Sequence, residues 1–412
     1  MNYAKCMSPN QQTLTIQQAI DLAMQHHTAG RLSEAESLYQ YILQNDPNHP
    51  VALHLLGVTA HQAGKNEMAV ELISKALAIK PDYTEAHNNH GLALQGLGKM
   101  EEAVVSFQQA LAIKPNSAET HSNLGLALHG MGQIEKAIVR YHKALVINPD
   151  FARAHYNLGQ SLMTRGDRKG AISCFEEVLK LEVGDLRAGA EFSLAYLGVL
   201  EAPSRTPETY MKEYYKTRTW WWRQLGTGDD QSDDYQGHAL MSEALKIALK
   251  GRMHLAILDG GCGTGILGRF LRPYASQLDG VDLSPEMLQV AREEGLYDNL
   301  VNDELGHYLS QGEQRYQVVV SAAVLIHFST LNVIFAKIWD ALDNEGTLAL
   351  TLFVDDACED FAIRPSGFFA HNPDYVRRVG LDSGFTLTHE AHGVHELLDA
   401  QEITGAVFVF EK

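Results

Sequence analysis

Cysteine is scarce in this sequence, and the few cysteines are scattered. The 412 residues contain four of them, at Cys6, Cys174, Cys262 and Cys358. They have neither the paired spacing of a zinc site nor the framework of a disulfide-rich domain. We therefore expect no metal ion and no disulfides. The pattern suits a reducing compartment, which predicts a cytoplasmic protein.

Positive charge and long apolar runs are also in short supply. Lysine and arginine number 33 against 51 acidic residues, which gives a formal charge of −18. Because such a charge repels a phosphate backbone and no basic cluster offsets it, we expect no nucleic-acid partner. The longest apolar run, VVVSAAVLI at 318–326, is about half of what a membrane span requires, and the N-terminus lacks the apolar region of a signal peptide. We therefore expect a protein that does not enter a membrane.

What the sequence does contain is a repeat of 34 residues in its first half. Prolines, glycines, alanines and large apolar residues all recur with this step. The recurring residues are Pro47, Pro81, Pro115 and Pro149; Gly57, Gly91, Gly125 and Gly159; Gly30, Gly64, Gly98, Gly132 and Gly166; Ala35, Ala69, Ala103, Ala137 and Ala171; and Tyr39, Ile73, Phe107, Tyr141 and Phe175. One glycine series lets two helices approach closely, the other ends a helix at a turn, and the prolines stop the second helix.

This pattern resembles the tetratricopeptide family, with about five repeats over residues 15–183 after an N-terminal tail at 1–14. The resemblance implies a helical solenoid with a concave groove. Asparagine recurs at the sixth position of three repeats, as Asn89, Asn123 and Asn157. Such a ladder offers amide donors and acceptors to the main chain of an extended peptide. It resembles the ladder of the repeats in O-GlcNAc transferases, although ordinary solvated polar groups remain the alternative.

A different periodicity begins in the second half. The repeat ends after Leu181, and residues 184–234 read as a connecting helix followed by an aromatic linker. From 254 onward apolar strands alternate with helical segments, which predicts a doubly wound parallel sheet of Rossmann-like type. The last two apolar segments, GFTLTHEAHGV and GAVFVFEK, have no helix between them. They are predicted to form a C-terminal antiparallel strand pair.

The stretch HLAILDGGCGTG, residues 254–265, predicts a strand followed by a turn that is almost free of side chains. Asp282 follows Gly261 by 21 residues, the interval expected for a carboxylate that binds ribose hydroxyls at the end of the second strand. The glycine pattern alone also fits folds that bind NAD. Asp259 directly before the glycines, the lack of a second mononucleotide-binding half and the closing strand pair favour S-adenosylmethionine.

Residues 235–412 resemble the class I S-adenosylmethionine-dependent methyltransferases, and within them a subgroup that often carries the same repeats. The resemblance implies that three glycines border the methionine part of the cofactor, that Asp282 binds the ribose, and that two apolar residues pack on adenine. Asp259, directly before the glycines, is expected to help organise the loop around the amino-acid moiety. An acid, Asp303 or Glu304, would contact the adenine amino group, and we favour Glu304. The remaining residues of this set are Gly261, Gly263, Gly265, Leu283 and Met287.

The acceptor side is less well defined. His327, near the end of the fourth strand, is a candidate general base or a packing residue. The subgroup has an acid at the position of Ala323 and a tyrosine at the position of His327, so a family base is in doubt here. The Asn/Asp-Pro-Pro-aromatic signature of enzymes that methylate base amines is absent. His371 and Tyr375 match the subgroup and are candidates for catalysis and substrate binding.

Two further candidates lie upstream, in the aromatic and acidic segment. Trp221 belongs to a cluster that is either a domain interface or a wall for the substrate. Tyr235, with His238 after it, is predicted to close over the cofactor as part of a mobile loop.

These observations predict a methyltransferase that modifies a peptide or protein captured by its repeats. One alternative is a small-molecule methyltransferase whose repeats recruit partners or form a homodimer. A second alternative is a scaffold that only senses the cofactor.

Overall fold

The computed structural model describes residues 14–181, 184–208, 210–211, 236–312, 314–364, 367–398 and 401–412. The chain divides into two compact units, Met1–Leu186 and Arg187–Lys412. Over the described ranges, no helix has the length and apolar character needed to cross a membrane.

The described part of the first unit contains five successive helix pairs, so the predicted helical repeats are confirmed. A further helix, α11 (Gly184–Tyr196), follows them. The paired helices are α1 (Ile16–Thr28), α2 (Leu32–Asn45), α3 (Pro50–Gln62), α4 (Asn66–Ile79), α5 (Thr84–Gln95), α6 (Met100–Ile113), α7 (Ala118–Gly130), α8 (Ile134–Ile147), α9 (Ala152–Arg165) and α10 (Arg168–Lys180).

The recurring glycines and large residues pack against each other within each pair. A Cβ atom added at Gly91 would lie 2.6 Å from the Phe107 ring, and one added at Gly125 would lie 2.6 Å from the Tyr141 ring. The two aromatic rings are completely buried. Only glycine therefore lets the two helices approach as closely as the buried ring requires.

The second unit is built around one mixed sheet with helices on both faces. In chain order its elements are α12 (Gly237–Ala248), β1 (Leu255–Gly260), α13 (Ile266–Leu271), β2 (Ala275–Asp282), α14 (Pro285–Glu294), β3 (Asn299–Asn302), α15 (Leu305–Gln311), β4 (Tyr316–Ala322), α16 (Asn332–Ala341), β5 (Leu342–Val354), β6 (Phe361–Ile363), β7 (Phe369–His371), α17 (Pro373–Asp382), β8 (Thr386–Leu398) and β9 (Gln401–Glu411).

The strand order is β3-β2-β1-β4-β5-β7-β6, with β9 also pairing with β5 and β8 pairing with β9. The pairs from β3 through β5 are parallel. β9 is antiparallel to β5 and to β8, as predicted for the C-terminal pair. The chain therefore reverses its direction of winding between β1 and β4, and in such sheets ligands bind in the crevice at that point.

One feature of the sheet is not predicted from the sequence. Strands β6 and β7 form a short antiparallel hairpin, with three paired positions from Phe361 with His371 to Ile363 with Phe369. Segments of three residues are too short to show the alternation that identifies a strand.

Two apolar clusters hold the sheet between its helices. One contains Phe335 and Val376 from α16 and α17, and the other contains Leu245 and Leu271 from α12 and α13. Because both faces of the central strands are covered, strands such as β4 read as continuous apolar runs.

Candidate functional site

The loop that follows β1 is held against the end of β2, and it borders a cavity. The backbone N–H groups of Gly261 and Cys262 donate to the Val281 carbonyl, at 2.7 and 3.1 Å. Gly261 has a φ of +82°, and an added Cβ there would lie 1.9 Å from the Val324 side chain. No other residue type fits this position, because both the backbone conformation and the contact exclude a side chain.

Gly263 and Gly265 continue the loop in the same left-handed backbone conformation, with φ of +54° and +88°. A Cβ atom added at Gly263 would meet only the Met287 sulfur, at 3.7 Å. The loop therefore borders an open cavity at this point.

Asp282, at the end of β2, closes the other side of this loop. One carboxylate oxygen accepts from Gly263 N–H at 2.9 Å and the other accepts from Ser284 N–H at 2.8 Å. Burial raises the pKa of the Asp282 carboxyl, and these backbone hydrogen bonds act against that rise. The side chain lines the same cavity as the glycine loop.

Asp259 lies beneath the loop and is 1% exposed. The Tyr297 hydroxyl donates to its carboxylate at 2.7 Å. Burial raises the pKa of Asp259 to about 7, with a further rise from the charge of Asp282 and an opposing effect of the tyrosine hydrogen bond. Asp259 borders the cavity, and Tyr297, which the sequence analysis did not single out, supports it from below.

The two acids proposed for adenine both line the cavity, as do Leu283 and Met287. Glu304 caps α15, because its carboxylate accepts from Gly306 N–H and His307 N–H, each at 2.9 Å. Asp303 pairs with the His307 ring at 2.8 Å. These contacts do not distinguish which of the two acids would bind the adenine amino group, so the choice of Glu304 stays a prediction.

His327 lies in the wall of the same cavity and is almost fully buried. Its ring packs edge-on against Phe368, with centroids 5.0 Å apart. Burial lowers the pKa of His327 to about 3, so the ring is uncharged at neutral pH and is a weak base. The structure thus places His327 at the cavity as a neutral, buried ring, which is typical of a packed side chain.

His371 and Tyr375 lie behind that wall and are not among the described residues that line the cavity. The His371 ring donates to the Phe328 carbonyl at 2.8 Å, and the Tyr375 hydroxyl accepts from Leu331 N–H at 2.9 Å. Burial lowers the pKa of His371 to about 4. These contacts hold the segment after β4 in place, whereas roles in catalysis and substrate binding remain predictions.

Two candidates, Trp221 and Tyr235, lie outside the described residues. The neighbouring His238 is described, and it lines the cavity.

Residues of the predicted connecting segment, 184–234, also line the cavity. Arg205 forms an antiparallel bridge with Phe328, and Thr206 N–H donates to the His327 carbonyl at 2.7 Å. Arg205 and Met211 line the cavity. Such a wall has no signal in local sequence, since it is made by pairing with residues more than a hundred positions away.

In the first unit, two of the three candidate asparagines are bonded to neighbouring helices. Asn89 donates to the His54 ring at 2.9 Å, and Asn123 donates to the Asn88 side-chain oxygen at 3.1 Å. Burial lowers the pKa of His54 to about 4, which keeps its ring neutral and able to accept this bond. Asn157 is partly buried at the equivalent position of α9.

The histidines two positions before these asparagines have a structural role. The rings of His87, His121 and His155 donate to carbonyls six residues earlier, at 2.8, 3.1 and 2.8 Å. The accepting residues are Pro81, Pro115 and Pro149. Across the described part of the chain, no group of three or more potential ligands is placed to hold a metal ion.

Parts of both halves of the chain match models of known families. A model described as a methyltransferase domain matches residues 257–346. Models described as TPR repeat or tetratricopeptide repeat match residues 26–89, 96–132, 130–166 and 152–183.

Several curated proteins are similar to a part of this chain. A malonyl-[acyl-carrier protein] O-methyltransferase of Acetivibrio thermocellus is 31% identical over 107 residues, which are 26% of this chain and 38% of the relative. Human methyltransferase-like protein 27 is 47% identical over 68 residues, 16% of this chain and 28% of the relative. A ubiquinone biosynthesis O-methyltransferase of Proteus mirabilis is 33% identical over 75 residues, 17% and 31% respectively. The chain thus spans less than two-fifths of the length of each of these three relatives.

Similar solved structures include MamA and the type IV pilus biogenesis factor PilW. MamA is 29% identical with a TM-score of 0.36, covering 40% of this chain and 98% of its own. PilW is 21% identical with a TM-score of 0.43, covering 53% of this chain and 97% of its own.

Proposed function

Since this chain joins tetratricopeptide repeats to a methyltransferase domain, we propose that it transfers a methyl group from S-adenosylmethionine to a peptide or protein held by its repeats. One observation carries the proposal: the glycine loop after β1 and the carboxylate of Asp282 line the same cavity at the ends of the parallel strands.

The residues around this cavity fit the cofactor. Gly261 and Gly263 leave their backbone open to close approach, and Asp282 places a carboxylate where ribose hydroxyls can donate to it. Thr264 is 6% exposed and lines the cavity, and among the described residues its hydroxyl has no hydrogen-bond partner. A buried polar atom of this kind is expected to bind a ligand or water.

The apolar part of the cavity suits the adenine ring. Leu283 and Met287 lie on the same side as Asp303 and Glu304, after β2 and β3. We propose that the two apolar side chains pack on the ring and that Glu304, or Asp303, accepts from its amino group. When bound, S-adenosylmethionine supplies a methyl group on a positively charged sulfur, which the acceptor atom displaces in line.

The repeats support a peptide or protein substrate. Asn89 and Asn123 use an amide N–H group to bond across neighbouring helices, so their side chains are held in fixed orientations. Fixed amides lower the entropy that is lost when an extended peptide binds. Binding through the repeats also raises the local concentration of a weakly held acceptor.

Titration calorimetry tests cofactor binding. S-adenosylmethionine is expected to bind the full chain, and Asp282→Ala is expected to weaken binding by about 100-fold, because a charge-assisted hydrogen bond and two loop contacts are lost. Asp356→Ala, an exposed carboxylate of the same unit, serves as the matched control and is expected to bind normally. Tight binding of NAD, or equal effects of the two substitutions, would contradict the proposal.

The similarity to a ubiquinone biosynthesis O-methyltransferase favours a second candidate, a small-molecule O-methyltransferase. Labelled cofactor added with the protein to cell extract separates the two. Label in the protein fraction supports the first candidate, and label only in the small-molecule fraction supports the second. Replacing Asn89, Asn123 and Asn157 together by alanine is expected to reduce protein labelling about tenfold while cofactor affinity stays constant, as expected for lost weak binding.

A further inference from the structure

A groove runs along the surface of the repeats between α6 and α8, the second helices of two successive pairs. Two adjoining hollows form it, and they share Val139 and Arg140. Both helices pack against α7, and two buried residues of α7, Leu128 and His121, line its base. The described residues that line it do not include the three asparagines proposed to hold the substrate. This α6–α8 groove is therefore a separate surface.

Apolar side chains line both sides of the α6–α8 groove. Val104 and Leu111 of α6 lie on one side, and Val139 and Val146 of α8 lie on the other. Val139 is 53% exposed and Val146 is 84% exposed. Exposed apolar residues that continue an apolar groove are typical of a surface that binds another protein.

Cationic side chains of α8 accompany these valines. Arg140 and Lys143 line the groove beside Val146, in a section that no described carboxylate lines. Neither cation has an acidic partner within ion-pair distance among the described residues. Burial lowers the pKa of the His121 ring at the base, and the charges of both cations lower it further, against the effect of its bond to Pro115. The groove therefore carries positive charge, although the whole chain has a formal charge of −18.

The packing of the repeats does not account for these cations. The equivalent residues one repeat earlier and one repeat later carry no positive charge. They are Ser106 and Cys174 for Arg140, and Gln109 and Glu177 for Lys143. Because neighbouring repeats pack in the same way without a cation at these positions, the positive charge is a feature of α8 alone in this part of the array.

The cations and the exposed valines share one face of α8. Lys136, Val139, Arg140, Lys143 and Val146 follow each other at steps of three or four residues, which places them along one side of a helix. This face is about 15 Å long, or three helical turns. We infer that the α6–α8 groove binds an acidic amphipathic helix of a partner protein, with its apolar side chains on the valines and its carboxylates facing the cations.

An acidic helix fits this groove better than other anionic partners do. Amphipathic helices commonly bind in grooves through apolar side chains spaced three or four residues apart. A nucleic acid would gain little from the valines, and the overall negative charge of the chain would repel its phosphates. A flat bilayer surface would not reach Leu128 and His121 at the base of the groove.

Three fluorescent synthetic peptides test this inference by anisotropy with the full chain. Each is about four helical turns long and has the same leucine stripe, and the remaining positions are mainly glutamate, glutamine or lysine. The glutamate peptide is expected to bind, and the glutamine peptide is expected to bind about tenfold more weakly, because the attraction to the cations is lost. The lysine peptide is expected not to bind.

Replacing Arg140 and Lys143 together by glutamate should reverse this preference, so that the lysine peptide binds and the glutamate peptide does not. Arg153→Glu with Lys169→Glu is the matched control, because it makes the same change of charge at exposed residues that do not line the groove. The control should keep the preference for glutamate. Far-UV circular dichroism verifies that both double variants keep their helices.

The inference is overturned if the glutamate peptide fails to bind, binds no better than the glutamine peptide, or keeps its affinity in the Arg140 and Lys143 variant. Vesicles of phosphatidylcholine and phosphatidylglycerol, and a labelled oligouridine RNA, test the other anionic partners. Binding of either one that exceeds binding of the glutamate peptide, and that the double substitution abolishes, would also overturn it.

Discussion

The two units of this chain use glycines for different purposes. In the repeats, Gly125 makes room for the Tyr141 ring, and the same arrangement recurs one repeat away at Gly91 and Phe107. In the second unit, Gly261 makes room for Val324 from the turn after β4, and Gly263 borders open space. Glycine therefore serves packing in one unit and, under our proposal, ligand access in the other, so equal substitutions should affect different properties.

The largest expected effect is on stability in the repeats. Phe107→Ala removes a completely buried ring and is expected to lower the free energy of unfolding of the repeats by about 3–5 kcal/mol. Urea unfolding followed by far-UV circular dichroism measures this loss. Cofactor affinity should not change, and Gln108→Ala, an exposed neighbour, should be neutral. A parallel fall in cofactor affinity would break the comparison between the units.

Gly261→Ala should have the opposite profile. The left-handed backbone costs about 1–2 kcal/mol for alanine, and the contact with Val324 adds about 1–3 kcal/mol. We expect cofactor affinity measured by calorimetry to fall about 100-fold, equivalent to roughly 3 kcal/mol.

Gly251→Ala separates these two costs. Gly251 also has a positive φ, of +78°, but an added Cβ there has no neighbour within 4 Å. Its alanine variant should lose about 1–2 kcal/mol of stability and keep its affinity for the cofactor. Equal affinities for Gly251→Ala and Gly261→Ala would show that the loop does not hold the ligand.

The pH dependence of stability provides a further test, because His371 is buried in the second unit. Burial lowers the pKa of His371 to about 4, below the value of about 6.5 of an unfolded chain. The stability from the neutral ring is fully present above pH 6.5 and is lost as the pH falls toward 4. His371→Gln should therefore cost roughly 2 kcal/mol at neutral pH, the cost of a buried hydrogen bond, and progressively less in acid.

Tryptophan fluorescence measures this effect, since all four tryptophans lie in the second half of the chain. His392→Gln is the control, because the His392 ring is exposed and pairs with Glu390. A cost of His371→Gln that stays constant from pH 7 to pH 4 would contradict the pKa shift.

The smallest expected effect concerns two helix caps. Ser117 and Ser284 each accept a backbone N–H through the hydroxyl, at 3.2 and 3.3 Å. Replacing either by alanine should cost about 1 kcal/mol of stability. Only Ser284→Ala should also weaken cofactor binding, because its hydroxyl caps the helix at Met287, which lines the cavity. Equal cofactor affinities in the two variants would contradict the proposed adenine site.

The repeats were predictable because their contacts are local and recur every 34 residues. The alternation of strands and helices and the glycine loop were also predicted, because each is recognisable in short segments of the sequence. The part of the cavity wall formed by Met211 and Glu396 was not predicted. Met211 and Glu396 line the cavity although both lie far from the glycine loop in the sequence. No spacing in the sequence records such contacts.

Crystals of the full chain soaked with S-adenosylhomocysteine test the central claim most directly. We predict density for the nucleoside at the ends of β1 and β2, with its ribose hydroxyls toward Asp282 and its amino-acid part along the loop from Gly261 to Gly265. A cavity that stays empty at saturating ligand, or a nucleoside bound elsewhere on the chain, would contradict the account.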